Sequence, residues 1–281
     1  MILNAIKLNP QLHQEHQRAL LRYLRDERTL SHHDWATLSD AVNALSDSVV
    51  TADGDEQTFR QFYNERVDAH FADPFLAQLV TLIDVEGEGR QAQAIFAREI
   101  GWLPDKAEGF NRDDNHCRLL LIYCLYWWAA FARGYIFEVV IFRDLAASGI
   151  QFVGHNLARR NERFSRYDLF LLDLRGDIKH TTYFLTADRL SLLDSDFFIT
   201  RWFLGRGWLR VAILRETAWD IFSLPPCDDQ RQIVTLDEVA LTLPITCAFF
   251  IDGALLTTLD YDQWKQRVLM LQSARGGNDH D

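Results

Sequence analysis

The apolar and polar positions along the chain predict helices in the first third and a mixture of helices and strands after it. From residue 10 to about residue 99, apolar side chains recur every three or four positions, which is typical of amphipathic helices. Asp73-Pro74 indicates the start of a helix over residues 75–85, because proline suits a first helical turn. The polar stretch 104–115 contains Gly and Pro and is typical of a connection. We therefore expect a helical domain over residues 1–112.

The second part begins with the most apolar segment of the chain, residues 117–147, in which Gly134 is a candidate division between two helices. Strands are expected at residues 149–154, 167–173, 177–186, 208–214 and 245–251, and helices at residues 191–204 and 236–243. This order predicts an α+β or α/β fold, in which an N-terminal helical region precedes a mixed sheet. The α/β domain would cover residues 113–273, and residues 274–281 would form a flexible polar tail.

Composition narrows the class of protein. The 281 residues carry 40 acidic and 29 basic side chains, and 48% are hydrophobic, which is ample for a folded core. The four cysteines form no Cys-x-x-Cys pair, which argues against a structural zinc site or a disulfide scaffold and favours the cytoplasm. The longest apolar run, residues 119–132, is too short to cross a bilayer. We expect a globular cytoplasmic protein with no membrane partner.

Acidic side chains and one lysine recur between residues 135 and 185. A predicted helix bears Glu138, a predicted strand opens on Asp168, and a later strand carries Asp177 and Lys179, one of only four lysines in the chain. In element order and spacing, this region resembles the PD-(D/E)xK nuclease superfamily, whose core is a glutamate-bearing helix followed by strands with Asp and (Asp/Glu)-x-Lys. The resemblance covers residues 135–185 and predicts a nuclease-like core.

The resemblance implies a metal-dependent nuclease that hydrolyses phosphodiester bonds in DNA or RNA, on its own or in a larger complex. By position, Glu138, Asp168 and Asp177 would hold Mg²⁺ or Mn²⁺, and Lys179 would complete the catalytic set. Carboxylate oxygens suit hard divalent ions, such an ion lowers the pKa of bound water, and a lysine nearby orients the nucleophile or offsets developing charge. The alternative is a catalytically inactive nuclease-fold protein that serves as a binding or interaction subunit for a protein partner.

The predicted hairpin register argues against a shared ion. With a four-residue turn at residues 173–176, Asp168 would face Thr181, and Asp177 would lie about 13 Å farther along the strand at about 3.4 Å per residue. A one-residue bulge would instead place Asp168 and Lys179 on opposite faces. Either the loop is wider than this, which would bring Asp177 to Asp168, or the fold is nuclease-like with a degraded site.

The same side chains also have ordinary structural interpretations. A carboxylate on an apolar helix often pairs with an arginine, and Arg133 or Arg143 is close enough in sequence to pair with Glu138. Asp177 and Lys179 equally fit an exposed hairpin that carries opposite charges next to its turn. Both interpretations stay open on the sequence alone.

A basic cluster and a histidine lie before the strand that opens on Asp168. His155 follows the first predicted strand and is a candidate general base, although the sequence identifies no partner for it. The basic cluster consists of Arg159, Arg160, Arg163 and Arg166. These guanidinium groups suit bidentate contacts to nucleic-acid phosphates, or they form a solvated loop on an acidic protein. The net charge of −11 argues against non-specific wrapping of nucleic acid but not against a local site.

Overall fold

Helices precede a large mixed sheet along the chain, so the predicted α+β organisation is confirmed. The computed structural model describes residues 1–25, 32–159, 161–162, 165–185, 194–203, 208–219, 221–222, 247–251 and 254–276. It separates into two units, Met1–Arg133 and Gly134–Asp281. The division falls inside a long helix and not in the predicted connection over residues 104–115.

The first unit contains helices and a three-stranded antiparallel sheet. Its helices are α1 (Gln14–Arg25), α2 (His32–Ser46), α3 (Phe59–Tyr63), α4 (Ala69–Leu79), α5 (Val85–Gly101) and the first part of α6 (Asn115–Ala147). Strands β1 (Leu3–Lys7), β2 (Val49–Ala52) and β3 (Asp55–Thr58) pair in that order. The purely helical interpretation of residues 1–112 missed this sheet. Its sequence signal is the β2–β3 turn, Asp53-Gly54, whose positive φ angles of 54° and 91° fit a two-residue hairpin.

The helical run that leads into α4 starts earlier than the sequence predicts. Thr58 caps α3 by accepting a hydrogen bond from the backbone N–H of Gln61, and the chain continues through a π-helical turn, Asn64–Asp68, into α4. The prediction that Asp73-Pro74 begins a helix is therefore wrong, because Pro74 lies inside a helix that is already established.

The apolar segment 117–147 belongs to one continuous helix, α6, and is not divided at Gly134. In the first unit, its Trp128 is fully buried and packs against Phe75 and Phe96, with ring centroids 5.2 and 5.7 Å away. Among the described residues, α6 is long and apolar enough to cross a membrane, with 44% of its most apolar window buried. The core helices of soluble proteins share these properties, so the length and composition of α6 are weak evidence for a membrane span.

The second unit is built on a seven-stranded mixed sheet. Its strands are β4 (Val153–Gly154), β5 (Leu169–Leu171), β6 (Leu174–Lys179), β7 (Phe197–Phe203), β8 (Trp208–Arg215), β9 (Cys247–Ile251) and β10 (Ala254–Asp260). Their order in the sheet is β4-β5-β6-β7-β8-β10-β9, with β6 and β7 parallel and the other neighbours antiparallel. The short helix α7 (Glu216–Trp219) and the helix α8 (Tyr261–Gly276) follow β8 and β10.

The core of the second unit joins the end of α6, the sheet and α8. Phe137 and Ile141 from α6 are buried in the same apolar cluster as Phe197 from β7 and Trp264 from α8. Trp264 is fully buried, and its ring centroid lies 5.5 Å from that of Phe197. This packing fixes α6 against the sheet and thereby sets the position of the polar side chains between them.

Three of the later predictions concern elements of this sheet. The helix predicted over residues 191–204 is wrong in the described part, because Phe197–Phe203 is β7, an aromatic and β-branched segment that favours a strand. The strands predicted at residues 208–214 and 245–251 are confirmed as β8 and β9. The helix predicted at residues 236–243 lies outside the described residues. In the predicted tail, residues 274–276 belong to α8, and residues 277–281 also lie outside.

The β5–β6 hairpin turns at Leu172 and Asp173, whose φ angles are 51° and 65°. Leu171 pairs with Leu174 and Leu169 with Gly176, so continuing this register by one residue places Asp168 beside Asp177. The turn predicted at residues 173–176 is therefore wrong. The loop contains two residues instead of the predicted four, so Asp177 comes beside Asp168 through a shorter loop and not through a wider one. Two consecutive positive φ angles match the right-handed twist of a two-residue hairpin, and this tight turn displaces the register by four residues.

Candidate metal centre

Five polar side chains of the second unit meet between α6 and the β4–β6 part of the sheet. α6 carries Glu138, His155 follows β4, Asp168 precedes β5, and Asp177 and Lys179 lie in β6. The backbone N–H of His155 donates to the carbonyl of Asp168 at 3.0 Å, which continues the β4–β5 pairing. The short strands and the tight hairpin therefore place the ionisable groups from four elements at one point.

Glu138, His155 and Asp168 form the buried centre of this group. The Glu138 Oε1 atom and the His155 Nε2 atom are in hydrogen-bonding contact, and His155 Nδ1 lies 3.7 Å from Asp168 Oδ1. One potential ligand atom from each of the three side chains lies within 4.8 Å of the others. Only 7%, 8% and 15% of the His155, Glu138 and Asp168 side chains are exposed. A buried Glu/His/Asp group of this kind could hold a metal ion.

Asp177 and Lys179 extend the group along β6. The Lys179 Nζ atom donates to Asp177 Oδ1 at 2.6 Å, and the backbone N–H of Ile178 donates to Asp168 Oδ2 at 2.6 Å. Asp177 is almost fully buried, whereas 34% of the Lys179 side chain is exposed. Lys179 is thus the most exposed of the five side chains.

The three carboxyl groups raise one another's pKa. Burial is the main cause in each case, because it disfavours the charged form. The charge of Asp168 and a hydrogen bond to it add to the effect of burial on Asp177, whose pKa rises to about 8. The charge of Glu138 likewise raises the pKa of Asp168. A bound cation would favour the charged forms of these three carboxyl groups.

The pKa values of the two basic groups, His155 and Lys179, are also raised, but by their partners and not by burial. Burial alone would lower the pKa of His155 and of Lys179, but their carboxylate partners outweigh it, and both pKa values are raised. For His155 the main opposing influences are the hydrogen bond to Glu138 and its charge. For Lys179 they are the charges of Asp177 and Asp168. The neighbouring carboxyl groups thus favour the charged forms of His155 and Lys179.

The four residues proposed from the sequence, Glu138, Asp168, Asp177 and Lys179, are thus brought together. The predicted register separated Asp177 from Asp168 by about 13 Å along the strand. That separation is wrong, because the two-residue turn at Leu172 and Asp173 places the two aspartates side by side. Glu138 contacts His155, a partner that the ordinary interpretation, a pair with Arg133 or Arg143, did not include. Burial of Asp177 likewise does not fit an exposed hairpin.

His155 is the residue whose place sequence reasoning missed. The sequence singled it out as a possible base but linked it to no other side chain. Its position directly after the strand that pairs with β5 is the available signal, because antiparallel pairing brings the end of β4 to the start of β5. Pairing alone brings its backbone to Asp168; the contact with Glu138 depends on how α6 packs.

The predicted basic cluster is only partly within the described residues. Arg159 is exposed and its guanidinium Nη1 donates to Glu162 Oε1 at 2.9 Å, so its charge is shared with a neighbouring carboxylate. Arg166 is exposed two residues before Asp168. Arg160 and Arg163 lie outside the described residues.

No protein-family model, curated protein or solved structure matches the chain.

Proposed function

We propose that the chain is a metal-dependent nuclease that hydrolyses phosphodiester bonds of DNA or RNA at this centre. The observation that carries the proposal is that Glu138 and Asp168 belong to one buried group of potential metal ligands, while Asp177, which interacts with Asp168, holds Lys179. Mg²⁺ or Mn²⁺ is the proposed ion, because carboxylate oxygens suit both. The two described cysteines whose side chains are placed, Cys117 and Cys124, are free thiols, in keeping with a reducing cytoplasm.

The chain's own side chains divide the proposed work. The buried carboxylates bind the ion, which when bound would polarise the phosphate and lower the pKa of an attached water. Lys179 is the only described basic group of the centre with substantial exposure, so its ammonium can contact a phosphate oxygen while its other contacts hold it beside Asp177. Arg166 adds local positive charge close in sequence to Asp168, which offsets the acidic character of the rest of the chain.

The test is cleavage of single- and double-stranded DNA and RNA, measured with Mg²⁺, with Mn²⁺ and with a chelator. Wild type should cleave only with an ion, and Lys179→Ala should lower the rate by a factor of about 100 or more, as loss of one positioned charge commonly does. Lys106→Ala is the matched control, because Lys106 is an exposed lysine in the first unit. Equal residual cleavage by wild type and Lys179→Ala would overturn the site assignment.

A second candidate is a catalytically inactive nuclease-fold protein that binds nucleic acid or a protein partner. It is favoured by the pairing of the ionisable groups with one another, since His155 contacts Glu138 and Lys179 contacts Asp177. The same assay separates the two, because this candidate predicts no ion-dependent cleavage of any substrate by wild type.

A further inference from the structure

The His155 ring is held in a fixed orientation inside the carboxylate group. Its backbone N–H donates to the Asp168 carbonyl, and the Phe142 ring packs edge-on against it, at 90° with centroids 6.0 Å apart. Since only 7% of the side chain is exposed, the ring has little freedom to turn. The two ring nitrogens therefore point to defined neighbours.

The two nitrogens of His155 have different surroundings. A carboxylate only accepts hydrogen bonds, so the contact with Glu138 Oε1 places the donating N–H on Nε2. On the other side, Nδ1 is buried and has no hydrogen-bond partner among the described residues. The nearest acidic oxygen, Asp168 Oδ1, lies 3.7 Å away, which is too long for a hydrogen bond.

A buried ring nitrogen without a partner needs a physical explanation, because buried polar atoms are nearly always paired. Histidines that bind metals commonly donate their other ring N–H to a carboxylate, which fixes the ring and leaves one nitrogen free for the ion. Glu138 and Nε2 show that arrangement, and Asp168 lies next to Nδ1. Nitrogen ligands favour first-row transition ions, whereas Mg²⁺ prefers oxygen ligands and keeps its waters.

We propose that His155 Nδ1 is a ligand of the bound ion together with Asp168, and that this nitrogen makes the centre select a first-row transition ion such as Mn²⁺ over Mg²⁺. Glu138 orients the imidazole from its opposite edge, so in this inference it positions His155 and does not itself bind the ion, unlike its role in the proposed function. This inference deepens the proposed function and shares with it only the assumption that an ion binds at this centre.

The test measures ion binding to the full chain without any substrate. Calorimetry with Mn²⁺ and with Mg²⁺ should show at least tenfold tighter binding of Mn²⁺ by wild type. His155→Asn replaces the nitrogen with an amide oxygen of similar position, and should weaken Mn²⁺ binding by at least tenfold while leaving Mg²⁺ binding within about threefold. His70→Asn, an exposed histidine of α4, is the matched control and should leave both affinities unchanged.

A spectroscopic readout keeps the proposal testable if a variant loses affinity through misfolding. Pulsed electron paramagnetic resonance of the wild-type Mn²⁺ complex should show the coupling of a directly bound ¹⁴N nucleus, and ¹⁵N-labelled histidine should change that coupling. A Mn²⁺ complex without nitrogen coupling, equal affinities for the two ions, or no binding of either ion would overturn the inference. Nitrogen-bound Mn²⁺ without cleavage would refute the nuclease and leave the inference intact, whereas cleavage with an oxygen-only site would do the reverse.

Discussion

Replacing Gly176 with alanine should destabilise the second unit through a single buried contact. Gly176 lies in β6, where it pairs with Leu169 on one side and with Phe197 on the other. A Cβ atom added at Gly176 would lie 2.2 Å from Cζ of the Phe197 ring and 2.5 and 2.8 Å from its two Cε atoms. Non-bonded carbons normally lie about 3.5–4.0 Å apart, so the ring must move by at least about 1 Å.

The surroundings of Phe197 leave little room for that movement. The ring is fully buried, and the fully buried Trp264 lies 5.5 Å from it between centroids. Overpacking of this kind costs about 1–3 kcal/mol, while removal of a strand glycine returns about 0.5–1 kcal/mol. We therefore expect Gly176→Ala to lower the free energy of unfolding by about 1–2 kcal/mol.

The assay is urea unfolding followed by tryptophan fluorescence, with a second substitution that removes the clash. Phe197→Leu lacks the three ring atoms concerned, so adding Gly176→Ala to it should cost nothing further. The two substitutions should therefore couple favourably by about 1–2 kcal/mol. Gly134→Ala is the control: nothing outside its own helix lies within 4 Å of an added Cβ, and the change should stabilise α6 by up to about 1 kcal/mol. Additive effects in the double variant would refute the close approach of Phe197 to Gly176.

Two further predictions concern the pH dependence of stability and a helix cap. The pKa of Asp177 rises from its ordinary 3.8 to about 8, so between these pH values the folded chain keeps a proton that the unfolded chain loses. As the pH rises through this range with a chelator present, the free energy of unfolding should therefore fall by up to about 1.4 kcal/mol per pH unit. Asp177→Asn should reduce this dependence on pH, which is measured as the difference between the urea midpoints at pH 5 and pH 8 with a chelator. The same pH dependence in the variant and in wild type would contradict the burial of Asp177. Thr58→Ala should lower the free energy of unfolding by about 1 kcal/mol because α3 loses its cap, whereas Thr58→Ser should restore most of it; equal midpoints for Thr58→Ala and wild type would show that the cap contributes nothing.

At this centre, the sequence predicted which residues take part and the order of the elements that carry them. It did not predict the distances between their side chains. Glu138 lies on a helix, Asp168 at the start of a strand and Lys179 in the next strand, as the pattern predicts, but that strand is Leu174–Lys179 and not residues 177–186. The distance between Asp168 and Asp177 depended on which residues form the turn. A leucine is a rare choice at positive φ, so nothing in the local sequence marked Leu172 as a turn residue.

Other differences arose where packing overrides the local pattern. β7 ends in aromatic residues, and its parallel pairing with β6, which ends well before it in sequence, together with its antiparallel pairing with β8 decides that it is a strand. The contact between His155 and Glu138 similarly joins residues from a strand end and a helix, through the packing of α6 on the sheet. Sequence periodicity carries no information on such pairs, and only the assembled core defines them.

The left-handed turn at Asp173 gives a direct test of the register on which the centre depends. Asp173 has a φ of 65°, and its exposed carboxylate contacts Arg275 at 2.7 Å. Asp173→Gly and Asp173→Ala both remove this ion pair, which is worth at most about 1 kcal/mol. The comparison between the two variants therefore isolates the backbone conformation.

Alanine at positive φ costs about 1–2 kcal/mol, while the greater freedom of glycine in the unfolded chain costs about 0.5–1 kcal/mol. With the turn at Leu172 and Asp173, Asp173→Gly should therefore unfold at higher urea than Asp173→Ala, by about 0.5–1 kcal/mol. A turn over residues 173–176 predicts the opposite order, because residue 173 would then have an ordinary negative φ that favours alanine. The sign of this one difference decides between a register that brings Asp177 to Asp168 and one that keeps them apart.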